Sequence, residues 1–104
     1  MGAGGTPGED LRVVDVPERS RYEVSIDGQV AGYVAYDPAP GHVTFTHTVV
    51  DPAWGGRGVG SALARGALAD VRARGMTMTP QCPFIAQYLT THPEELDLVG
   101  DAPG

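Results

Sequence analysis

Four of the seven residues in Gly55-Gly56-Arg57-Gly58-Val59-Gly60-Ser61 are glycine. A loop that brings several backbone N–H groups against one ligand must keep Cβ atoms out of the way. It also uses φ values that only glycine takes cheaply. If a helix starts there, those N–H groups carry the positive end of its dipole. The chemistry implied is anion binding, a phosphate or pyrophosphate above all. Two nucleotide versions fail on specifics. A Walker loop needs a lysine before its Ser/Thr, and this chain has no lysine. A dinucleotide fingerprint needs a third glycine where Leu63 stands, and an acid about twenty residues on, where the chain reads Met76 to Pro80.

Three further side chains could take part in chemistry. His47 precedes the loop and carries an imidazole, which titrates near neutrality and suits a proton acceptor. Cys82 is the single cysteine, so no disulfide forms within the chain. Pro83 favours an extended Cys82 and suits a first helical position, which makes Cys82 the expected cap residue. A thiol at a helix start feels the positive dipole end, which favours the thiolate nucleophile. Tyr88 shares a helical stripe with Phe84, Ile85 and Leu89, which suits the core as well as a site. His42 and His47 lie five apart in one extended segment, so alternation puts them on opposite faces. No close ligand pair remains, and no metal site is expected.

The elements that must position these groups are legible. Tyr22, Val24 and Ile26 alternate within Arg21–Ile26, and Asp27-Gly28 is a hairpin signal. The strand returns over Val30–Tyr36, turns at Asp37–Gly41, and runs again over His42–Val50. There Val43, Phe45, His47 and Val49 are expected on one face. An earlier strand near Arg12–Val16 is compatible with the pattern. The period then changes. Val59, Leu63, Ala67 and Val71 recur every four residues, widened by Ala62, Gly66 and Ala69. This helix spans about Arg57 to Arg74 and stops at Gly75. Met76–Thr79 reads as a short strand, and Pro83 opens a second helix that His92-Pro93 closes. The fold class is α+β: a mostly antiparallel meander followed by helix, strand and helix.

The chain has 104 residues, enough for one domain. Residues 1–10 and 100–104 lack large apolar side chains or a run of them, and read as flexible tails around a domain at 11–99. No stretch is long and apolar enough for a transmembrane helix or a secretory leader, so a cytoplasmic protein is expected. The formal net charge of −6 argues against nucleic acid as partner. Yet Arg57, Arg65, Arg72 and Arg74 fall within eighteen residues that hold one acid, Asp70. That local excess suits an anionic ligand or a solvated helix face.

Asp51-Pro52-Ala53-Trp54 followed by the glycine loop resembles the coenzyme A pyrophosphate loop of the GNAT superfamily of N-acetyltransferases. Gly58 and Gly60 match its pattern; Gly55 departs from it, standing where the family usually has Arg or Gln. His47-Thr48, Pro80-Gln81-Cys82-Pro83-Phe84 and Tyr88 resemble a short GNAT-like subfamily of about a hundred residues. The resemblance spans about Tyr22 to Val99. It implies a minimal GNAT core, acetyl-CoA as acetyl donor, and an amine acceptor. It assigns Val49, Val50, Gly55, Gly56, Arg57, Gly58, Val59, Gly60 and Ser61 to the coenzyme. It implies Tyr88 as a proton donor to the departing thiolate, and the Met76–Thr79 strand splaying from the His47 strand to admit the pantetheine arm; beside it His47 is the expected base, and Cys82, then close to the thioester, is a nucleophile that could hold the acetyl group transiently, against the direct transfer usual in the family. Val49 stands where the subfamily usually has Glu, the common base. A non-catalytic acyl-CoA-binding module is the alternative reading.

Overall fold

The computed structural model describes residues 11–54 and 58–101. One five-stranded sheet carries the molecule, with strand order β1-β2-β3-β4-β5. β1 is Leu11–Val16, β2 Arg21–Ile26, β3 Gln29–Ala39, β4 His42–Val50 and β5 Thr77–Pro80. The first four pair antiparallel with their neighbours, and β5 runs parallel to β4. A parallel pair needs a crossover, and helix α1, Val59–Ala73, supplies it. Helix α2, Pro83–Thr91, follows β5, and a 3-10 segment, Pro93–Leu98, closes the domain. The N-terminal strand is thus present, as the edge of the sheet. Neither helix is long and apolar enough to cross a membrane.

The core forms because both periodicities meet on one side of the sheet. Tyr22, Val24 and Ile26 are buried on β2, and Val59, Leu63, Ala67 and Val71 on α1. The buried helical stripe is completed by Ala64 and Leu68, whereas Ala69, expected in it, is exposed. Met78, Ile85 and Leu89 extend the core from β5 and α2. Gly66 permits close approach: a Cβ there would lie 2.7 Å from Cβ of Val13. At the helix end Gly75 takes φ +68°, and its N–H and that of Met76 bond Arg72 O and Val71 O, which satisfies the last carbonyls.

Two departures from the alternation pattern matter. β3 extends to Ala39, so the expected five-residue turn shrinks to Pro40-Gly41. β3 can accept Pro38 because β2 pairs with it only as far as Ala35, and a strand edge has no use for the missing N–H. More important, β4 carries a bulge. Ala35 pairs with His47 but Tyr36 pairs with Phe45, so Thr46 is an extra residue. Side-chain parity flips there. Val43 and Phe45 face the core, but His47 and Val49 face away from it, and Thr48 and Val50 turn inward. The expectation that Val43, Phe45, His47 and Val49 share a face is therefore corrected. So is the placing of His42 and His47 on opposite faces: both lie on the side away from the helices.

Candidate active site

The parting of β4 and β5 creates the site. The two strands pair from His42 with Thr77 to Phe45 with Pro80 and no further. The Cys82 N–H closes the ladder by donating to Phe45 O at 2.8 Å. Beyond that bond, residues 46–50 of β4 continue while the chain opposite turns away into α2. A wedge opens between them. Cys82 lies at its apex as the N-cap residue of α2, with no side-chain capping hydrogen bond. Its Sγ lies 3.1 Å from Thr48 Oγ1 instead. The thiol is 1% exposed.

The start of α1 lies on the same side of the sheet. Gly58 caps it at φ 72° and ψ 17°, a left-handed conformation that disfavours Cβ-bearing residues. The first intrahelical bond runs from Ala62 N–H to Gly58 O at 3.0 Å, and no side chain caps the helix. Among the described residues, neither a helical carbonyl nor a capping group takes the N–H groups of Val59, Gly60 and Ser61. The first turn has no acid. These three amides at a positive dipole end suit an anion. A Cβ on Gly60 would lie 2.7 Å from the ring of Phe84, so the glycine lets the starts of α1 and α2 meet. Gly55, Gly56 and Arg57 lie outside the described residues.

A cleft of about 160 Å³ flanks this junction, lined by Ser61, Phe84, Gln87, Tyr88, Thr91 and His92. The Tyr88 and His92 rings stack at 3.9 Å, nearly parallel. Burial foremost, then the charges of Glu95 and Glu94, raise the Tyr88 pKa against the opposing charge of Arg65, so its phenol keeps its proton.

The arginine cluster divides. Arg72 binds both oxygens of Asp97 at 2.8 Å and Glu95 at 2.9 Å, tying α1 to the 3-10 segment. Arg74 pairs with Asp70 at 2.9 Å and with Asp15 at 3.4 Å. Both serve the scaffold. Arg65 is exposed, four residues after Ser61 and without a carboxylate partner among the described residues.

The structure does not gather His47, Cys82 and Tyr88 into one hydrogen-bonded set. His47 is exposed on the open face, edge-on to Tyr33 with ring centroids 5.9 Å apart. Cys82 is sealed on the core side, and Tyr88 lies one and a half helical turns beyond it. The side chain of Val49 is also on the open face, so only its backbone can serve a ligand on the helix side, where Val50 turns inward. Thr48 was missed as a site residue. Its signal was its place beside His47, but alternation put it on the wrong face. His42 is a structural residue. Thr79 Oγ1 donates to Gly100 O at 3.1 Å, so it accepts from His42 Nε2–H at 2.9 Å, and Thr77 Oγ1 donates to Nδ1 at 2.8 Å. That chain, with Gly100 N–H on Met78 O, ties residue 100 to β5.

Residues 21–98 match the family described as GCN5-related N-acetyl-transferase. No curated protein matches the chain. Among solved structures, a GCN5-like protein from Staphylococcus aureus shares the fold at TM-score 0.65 and 16% identity, over 91% of this chain and 93% of that one. The ribosomal-protein-S18-alanine N-acetyltransferase from Escherichia coli is similar at TM-score 0.52 and 19% identity, over 68% of this chain. This chain spans 41% of the length of the Escherichia coli enzyme.

Proposed function

Because the chain belongs to the GCN5-related N-acetyltransferases, we propose that it transfers the acetyl group of acetyl-coenzyme A to an amine in the cytoplasm. The observation that carries this reading is the start of α1, whose Val59, Gly60 and Ser61 amides have no partner among the described residues, beside a wedge in the sheet. A pyrophosphate fits those amides, and a narrow pantetheine arm fits the wedge. Arg65, exposed four residues after Ser61, adds positive charge nearby.

Acetyl-coenzyme A supplies an activated acyl carbon on a sulfur leaving group. The attacking nitrogen must lose a proton and the departing sulfur must gain one. His47 takes the first role, since Val49 offers no carboxylate. Tyr88, held protonated, takes the second. Transfer is direct: Cys82 is a wall of the wedge, engaged with Thr48, and not an acetyl carrier.

The test compares the parent protein with Ser61→Glu. Glutamate at the first turn favours the helix dipole, so the variant folds, but it repels a pyrophosphate. Acetyl-coenzyme A should raise the Tm of the parent by mass action and leave the variant unmoved. Equal stabilisation of both, or stabilisation by NAD or ATP alone, sinks the reading.

A further inference from the structure

The face of the sheet away from the helices carries a groove of about 470 Å³, lined by Arg21, Val30, Tyr33, Val49, Asp51 and Pro52 among others. That volume is in the range of small-molecule sites. It reaches His47 through Tyr33. Tyr33, which lines the groove, stacks edge-on with the His47 ring at 5.9 Å. Val49 is the next residue on that face of β4, about 7 Å along the strand from His47 by strand geometry.

Two of the polar groups around the groove are engaged within the protein. Arg21 bonds Glu23 through Nε at 2.8 Å and Nη2 at 2.7 Å, and its guanidinium sits 4.2 Å from the Tyr33 ring centre. Asp51 Oδ1 accepts the Ala53 N–H at 2.9 Å. The large side chains left open on this face are apolar. Val30 is 52% exposed and Val49 45% exposed, both large aliphatic side chains open to solvent on this face.

We propose that this groove is the acceptor site and that the acceptor is a primary amine on an apolar, aryl-sized body. The body lies over Val30, Tyr33 and Val49, and the amine points along β4 to His47. This rests on the acetyl-transfer reading for its chemistry, but not for its binding measurement.

Phenethylamine is the probe and spermidine the polar comparison. Titration of the amine, with and without coenzyme A, is followed through the methyl resonances of Val30 and Val49. Phenethylamine should shift both, and spermidine at the same concentration should not. In steady-state acetylation, Val49→Gln and Val30→Gln should each raise KM for phenethylamine about tenfold. Acetyl-coenzyme A should still stabilise both variants. Spermidine preferred over phenethylamine, or unshifted methyls, overturns the proposal. Methyls that move on dilution of the protein alone would identify a second copy as the occupant, and also overturn it. Loss of the coenzyme effect on Tm is a separate result and strikes the acetyl-transfer reading instead.

Discussion

The hydroxyl of Thr48 and the thiol of Cys82 meet 3.1 Å apart at the point where β4 and β5 diverge. Each comes from a different strand or helix start, and together they brace the apex of the wedge. The thiol gains a polar partner there and loses contact with solvent.

Brief mixing with acetyl-coenzyme A, without amine, should therefore leave the intact mass of the protein unchanged. Cys82→Ser, which keeps a polar partner for Thr48, should retain kcat within about threefold, a change worth under 1 kcal/mol in the barrier. An added acetyl group that maps to Cys82 would refute direct transfer. Cys82→Ala leaves the Thr48 hydroxyl without this partner and should cost about 1 kcal/mol of stability.

Arg65 and Arg72 should separate cleanly. Arg65→Ala should weaken coenzyme binding several-fold and flatten its dependence on salt, because screening acts on exposed charges. Arg72→Ala should leave the affinity alone and lower Tm, since Arg72 holds Glu95 and Asp97. Equal loss of affinity in both variants would return Arg65 to the general electrostatic field.

Gly66→Ala should destabilise the protein although alanine favours helix. The propensity gain is about 1 kcal/mol. The new Cβ would lie 2.7 Å from Cβ of Val13, and pushing β1 away costs more, about 1–3 kcal/mol. Val13→Ala should recover much of that loss in a double-mutant cycle. Additive effects would mean that the two residues do not touch.

Alkaline stability follows from two tyrosines. Burial first, then the hydrogen bond to Asp70, raises the Tyr22 pKa; burial and the bond to Asp15 do the same for Tyr36. A raised folded pKa means that the unfolded chain loses these protons first. The stabilisation is full below about pH 10, where unfolded tyrosine titrates, and is lost as pH rises beyond it. Tm should fall steeply above pH 10, and ultraviolet titration should show both phenols ionising only with unfolding. Tyr22→Phe should blunt that fall and cost about 1–3 kcal/mol at neutral pH.

Much of this architecture is local and so legible in the chain. Period-two alternation located β2 and β4, Asp27-Gly28 the turn from β2 into β3, and period-four spacing the buried stripe of α1. Gly75 and Pro83 marked the helix boundaries. The glycines at 58 and 60 marked the start of α1, where Gly58 is the left-handed cap and Gly60 lets Phe84 approach. What eluded the sequence depends on partners. A bulge exists only relative to the strand opposite, and nothing in Phe45-Thr46-His47 signals that one residue will lose its pair. The same is true of Arg72 and Arg74, whose acids lie at positions 95, 97 and 15. Thr48 could be placed against Cys82 only once the flip at Thr46 was known.

That extra residue gives β4 two grammars. Before it, odd-numbered positions answer to the core; after it, even-numbered ones do. A point substitution at Thr46 changes one hydroxyl. Deleting it would transpose the whole second half of the strand, sending His47 and Val49 into the hydrophobic interior and Thr48 out to solvent. The segment thus tolerates a change of residue type at 46 far better than a change of length, because only the second exchanges the two faces of residues 47–50.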